Sequence, residues 1–207
     1  MRNSLRLVII LAVISAVAGG ALALVNSFTE PKIKAYQALA EANAYRRALP
    51  EAESFSDLPD LLAKVKTNPA TSNVTDLKVG LNNGTEVGWV CKVLTNGFNG
   101  NIVMLVGINK SGALGEAVIL EQKETPGLGT KVTDPEFIAQ PSIKKVTPGE
   151  ILKVNKDNGK VQAVAGATIS SRAVVRGINQ VLSFYQSQTS DGLSEDDLQA
   201  LTDATKK

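Results

Sequence analysis

The run LVIILAVISAVAGGALALV, from Leu7 to Val25, carries no charged side chain, and it sets the first condition on any fold. As a helix rising about 1.5 Å per residue it spans roughly 28 Å, close to the ~30 Å hydrocarbon core of a bilayer. The run is longer than the usual core of a secretion signal, although Ala21-Leu22-Ala23 fits the small-x-small pattern of a cleavage site. Ala12, Ala16 and Gly20 recur at helical spacing, giving a small-residue face suited to close packing on another membrane helix. The sequence therefore predicts a retained single-pass anchor in the lipid bilayer, with cleavage after Ala23 as the alternative. Arg2 and Arg6 precede the span and Lys32 and Lys34 follow it. The denser charge in front favours a cytoplasmic N-terminus and a domain on the outer side.

Outside the span the informative features are absences. The chain has 207 residues, no histidine and one cysteine, Cys91. That excludes a histidine-ligated haem, a serine–histidine triad and most zinc sites. One cysteine cannot form an internal disulfide or hold an iron–sulfur cluster. Any redox work here calls for an organic cofactor. The formal charge of +2 leaves no basic face for phosphate neutralisation, which argues against nucleic acid as a partner.

Thr29-Glu30-Pro31 reads as a helix start, and KIKAYQALAEANAYRRALP as a stalk of good helix formers that continues the membrane helix outward and stops before Pro50. SDLPDLLAKVK reads as a short helix. The pattern then changes. DLKVGL, EVGWVCKVL, NIVMLVGIN and ALGEAVILEQ are β-rich runs separated by turn signals, which predicts an antiparallel meander with one face buried. Trp89 and Cys91 share a face and read as core residues. From Ser170 onward, Val174, Ile178, Val181, Leu182 and Tyr185 follow the spacing of one helical face. The whole is an α+β chain: an N-terminus at 1–6, a transmembrane helix at 7–25, a helical stalk and linker at 26–75, one antiparallel-sheet-plus-helices domain at 76–188, and a helical tail at 189–207.

Two segments carry candidate chemistry. In GATISS, Gly166 and Ala167 leave room beside the backbone, and Thr168 stands where a helix opens with free N–H groups and the positive end of its dipole. Such a start favours a phosphate, and a threonine hydroxyl there can be esterified to one. Arg172, one turn on, is placed to add charge. The plain alternative is that Thr168 or Ser170 caps the helix. In ETPGLG, from Glu124 through Thr125, Pro126, Gly127 and Leu128 to Gly129, proline and two glycines make a tight turn. It is able to press main chain and Leu128 against a flat ring, or to be a turn and nothing more.

Together, on an anchored α+β framework, these segments resemble the FMN-binding G subunit of the Rnf electron-transport complex. More distantly they resemble the C subunit of the sodium-pumping NADH:quinone reductase. The resemblance covers most of the chain. It implies FMN bound covalently, through its phosphate, to Thr168, with Gly166 and Ala167 making room and Glu124 to Gly129 lying near the isoalloxazine. A separate flavin transferase would install it. Two positions depart from the family pattern: Ala165 stands where a serine is usual, and Gln162 where an acid is usual. The resemblance also implies an electron-relay subunit of an ion-translocating oxidoreductase in a bacterial or archaeal cytoplasmic membrane, with the domain on the extracytoplasmic side and the other subunits as partners. With no charge in Leu7–Val25, the chain is not expected to conduct ions itself. The alternative is an anchored or secreted binding or structural envelope module without flavin.

Overall fold

The computed structural model describes residues 2–191, so the tail expected at 189–207 lies outside the described residues from 192 onward. Those residues fall into two units that divide between Ala42 and Asn43. The first is helical. Helix α1 runs from Arg2 to Ala48, passes through Pro31, and contains the apolar span. The stalk continues the membrane helix, as the sequence predicts, and the helix-start signal at Thr29-Glu30-Pro31 opens no separate helix. Proline removes the ladder bond to the Ser27 carbonyl, and polar side chains on either side bond neighbouring groups of the same stretch. The Ser27 hydroxyl bonds Leu24 O at 2.8 Å and that of Thr29 bonds Val25 O at 3.0 Å. Glu30 and Lys34 pair at 2.6 Å across the proline.

The second unit is built on one five-stranded antiparallel sheet in sequence order: β1 (Ser54–Asp57), β2 (Val74–Asn82), β3 (Thr85–Asn96), β4 (Asn101–Asn109) and β5 (Leu114–Glu121). Helix α2 (Pro59–Thr67) joins β1 to β2. The four strands expected from the turn signals are β2 to β5. Asn83 and Gly84 both take positive φ, as a two-residue hairpin of the primed type requires. The strand β1 has no counterpart in the sequence reading. The sequence reading places Ser56 and Asp57 at the start of the short helix SDLPDLLAKVK, but that helix begins at Pro59, and pairing with β2 makes SFSD a strand.

After β5 come two single-turn helices, α3 (Pro135–Ile138) and α4 (Pro141–Lys144), and then the long α5 (Thr168–Asp191). The apolar stripe of α5 buries Val174, Ile178, Val181, Leu182 and Tyr185 on the sheet. Trp89 meets Phe184 and Tyr185 edge-on, with ring centroids 6.0 and 6.2 Å away. Cys91 is fully buried in the same cluster. Burial, with a smaller contribution from Asp76, pushes its thiol well up and keeps it protonated and inert.

The sheet is not buried on one face alone. Val90, Leu105 and Val118 point the other way and pack against Ala44, Tyr45, Ala48, Leu49 and Ala52. Glycines explain how a helix end comes so near. A Cβ at Gly107 or at Gly115 would overlap the Ala48 carbonyl oxygen. Gly115→Val is therefore expected to destabilise the folded domain by at least about 2 kcal/mol. A denaturation midpoint equal to wild type would refute that close approach.

Candidate functional site

The two motif segments, far apart in sequence, form one wall-to-wall site. Each is organised by a turn with glycine at its third position. Leu128 N donates to Thr125 O at 3.2 Å around Pro126 and Gly127, with Gly127 at φ 73°. Ala167 N donates to Val164 O at 3.0 Å around Ala165 and Gly166, with Gly166 at φ 75°. Type II turns need that left-handed third residue, and glycine supplies it without steric cost. The two turns touch: a Cβ on Gly166 would lie 3.2 Å from Leu128 Cδ2.

The turn at Gly166 delivers the chain into α5. Its first intrahelical bond runs from Ser171 N to Ala167 O, so Thr168, Ile169 and Ser170 open the helix with N–H groups that find no main-chain acceptor among the described residues. The hydroxyls there divide their roles. Ser171 Oγ donates to Ala167 O at 2.9 Å and accepts from Val164 N at 3.0 Å, which staples the turn to the helix. Ser170 Oγ donates to the buried carboxylate of Glu124 at 2.5 Å. Thr168 is half-buried, and among the described residues nothing holds its hydroxyl. Of the three, it is the one left for chemistry.

Glu124 is the hinge of the arrangement, 4% exposed. One of its oxygens takes Ser170, and the other accepts Phe98 N at 2.9 Å and Asn99 N at 3.1 Å. Gly129 leaves it room, because a Cβ there would sit 2.7 Å from Glu124 Cβ. A buried carboxylate is costly unless it is hydrogen-bonded, and this one accepts from three donors.

Between these elements lies a cavity of about 440 Å³. Of the residues singled out in the sequence, Glu124, Thr125, Leu128, Gly129, Gly166, Ala167 and Thr168 line it. Pro126 and Gly127 shape the turn but do not line the cavity. Phe98, Ile169 and Ser170 line it and are absent from the sequence-based site. The volume falls in the range of small-molecule sites. Its donor set fits a flavin mononucleotide: a helix start and a spare hydroxyl for the phosphate, and apolar side chains for a flat ring. Phe98, Leu128 and Ile169 are 66%, 48% and 46% exposed, so they offer apolar surface for such a ring to cover.

One expectation fails. Arg172 does not add charge to the cavity. Its guanidinium makes a two-pronged pair with Asp157, Nε to Oδ2 at 2.8 Å and Nη2 to Oδ1 at 2.5 Å. The pairing, chiefly that hydrogen bond, raises Arg172 and lowers Asp157 from their ordinary pKa values. Arg172→Ala is expected to leave flavin content unchanged; a loss of more than half would show that the side chain reaches the site after all. Gln162, at the second departure from the family pattern, accepts from Asn155 Nδ2 at 2.9 Å and exchanges hydrogen bonds between its main chain and the Gln140 amide.

The chain is similar to known proteins over most of its length. A family model described as FMN-binding domain matches residues 97–183, and one described as RnfG N-terminal region matches residues 1–47. The G subunit of the Na(+)-translocating ferredoxin:NAD(+) oxidoreductase complex of Acetobacterium woodii is 31% identical over 87% of this chain and 91% of its own length. The G subunit of the ion-translocating oxidoreductase complex of Methanosarcina acetivorans is 32% identical over 88% of this chain and 95% of its own. The crystal structure of Shewanella oneidensis NqrC matches with a TM-score of 0.46 at 21% identity, covering 69% of this chain and 74% of that one. Identity above 30% to the two G subunits, across nearly the full length of both chains, means that this chain belongs to the family of G subunits of ion-translocating oxidoreductase complexes.

Proposed function

We propose that this protein is the covalently flavinylated electron relay of an ion-translocating oxidoreductase complex of the ferredoxin:NAD+ type. It works beside the complex's other subunits and does not turn over substrate alone. The observation that carries the reading is the cavity where Glu124–Gly129 meets Gly166–Ser170, with the unclaimed Thr168 hydroxyl at a helix start. FMN bound there would be esterified through its phosphate to Thr168 by a flavin transferase during maturation. When bound, flavin supplies the means to accept electrons in pairs and release them singly.

The chain's own residues do the rest. The free N–H groups at the start of α5 hold the phosphate charge. Gly166 and Ala167 keep the approach open, and Leu128 and Thr125 shape the ring's surroundings. A phosphoester is remote from the ring, so the ring's potential is set by these contacts and not by the attachment. Residues 7–25 anchor the chain in the cytoplasmic membrane as a single span, the rest of α1 as far as Ala42 forms the stalk, and the domain that follows holds the flavin on the extracytoplasmic side. The Ala12/Ala16/Gly20 face docks on the membrane subunits.

Mass analysis of the tryptic peptide Val161–Arg172 tests the attachment. Protein made with an active flavin transferase is expected to yield this peptide heavier by FMN less one water, with the added mass on Thr168. An unmodified peptide, from cells whose transferase labels a control protein, would sink the covalent reading.

A further inference from the structure

Phe98 combines two properties that rarely occur together: its ring is exposed and its backbone is held fast. The side chain is 66% exposed at the tip of the β3–β4 hairpin, where it lines the cavity. The hairpin closes through Gly97 N to Gly100 O at 2.8 Å. Asn99 Nδ2 donates to Lys123 O at 3.0 Å, and Arg176 from α5 donates to Asn96 O at 2.8 Å. The Phe98 and Asn99 amides are taken by Glu124, and Gly97 is small because a Cβ there would run into that carboxyl group. A hairpin needs none of this to turn. A single exposed apolar side chain is ordinary, but one mounted on a buried carboxylate is not.

The same carboxylate also holds Ser170, two residues beyond the attachment threonine. Glu124 thus sets the distance between the start of α5 and the Phe98 turn. A surface meant only for docking another protein would have no need of that link. A site that must hold the two ends of one ligand in register would.

We propose that Phe98 contacts the flavin ring as its aromatic wall and that Glu124 is the residue positioning that wall relative to Thr168. This rests on the proposed FMN site and adds to it a ring-contacting residue that the motifs do not contain. Aromatic contact gives a flat ring a large, rigid apolar surface at little entropic cost.

The test uses the full chain in detergent, co-expressed with a flavin transferase, and reads emission per bound flavin. Flavin content is measured separately by absorbance. Tryptophan and tyrosine in contact with a flavin quench it by electron donation, so Phe98→Trp is expected to cut emission severalfold and Phe98→Tyr to cut it as well. Ile151→Trp, at an exposed position outside the cavity lining, is the control and should leave emission as in wild type. Phe98→Ala should raise collisional quenching by iodide. Adding Glu124→Leu to Phe98→Trp should restore much of the emission, whereas adding Glu124→Gln, which keeps an acceptor for the two amides, should not.

Emission in Phe98→Trp and Phe98→Tyr equal to that of the control, at normal flavin content, overturns the proposal. So does a Phe98→Ala variant that loses only assembly with the complex, since that would make Phe98 a docking residue. Wild-type protein without flavin would instead overturn the FMN site itself.

Discussion

Replacing Thr168 with valine is expected to abolish the flavin-fluorescent band of the denatured protein on a gel, while leaving the fold intact. Valine keeps the shape and removes the hydroxyl. That hydroxyl has no partner among the described residues, so its loss orphans nothing and stability should change by less than about 1 kcal/mol. Ser170→Ala and Ser171→Ala make the complementary set. Both hydroxyls are engaged by protein, so these variants are expected to lose stability and to keep covalent flavin. A Thr168→Val protein that still carries flavin through denaturation would move the attachment elsewhere. A variant that unfolds would instead make Thr168 a structural residue.

The second large effect is expected at Glu124. Substituting leucine removes the acceptor of two main-chain amides and of the Ser170 hydroxyl. A donor left unmatched in a buried place costs about 1–3 kcal/mol; the Ser170 hydroxyl is buried, whereas the two amides are only part-buried and water recovers much of their loss, so the total should be about 2–4 kcal/mol. For a domain of this size that lowers the thermal midpoint by roughly 5–15 °C. Glu124→Gln should recover most of the loss, because its amide oxygen still accepts from Phe98 and Asn99 and its nitrogen is able to donate to Ser170. A leucine variant that melts with wild type would mean the carboxylate's hydrogen bonds are replaceable by water.

The contrast between what the chain disclosed and what it hid follows from the range of the interactions involved. The strands β2 to β5 were legible because their signals are local: alternating apolar residues and turns at Asn83-Gly84 and Ser111-Gly112. The long helix α5 was legible for the same reason. The strand β1 was not, since four residues with the composition SFSD become a strand only against β2. Burial of the second face was hidden in glycines. Gly107 and Gly115 lie inside the strand runs and belong to no motif, and only the structure shows Ala48 pressed against them. At the site, the turn glycines and Thr168 were visible as motifs. The role of Glu124 was not, because its partner Ser170 is 46 residues away. Phe98 was hidden because an aromatic among glycine and asparagine looks like ordinary loop. Arg172 misled because its helix position was known and the competing carboxylate of Asp157, 15 residues earlier, was not.

The double-sided burial of the sheet also orders the domain in time. Backbone amides exchange with solvent through openings whose cost rises with the apolar contacts that must be broken. The middles of β3 and β4 are sandwiched, with Val90 and Leu105 packed on one side and Trp89, Cys91, Met104 and Val106 on the other. These strands should be the last to exchange, and β1 at the sheet edge among the first. The Phe98 turn hangs between the two slowest strands. The wall offered to the ring is therefore mounted on the part of the domain that opens least often, which keeps its surroundings constant from one electron transfer to the next.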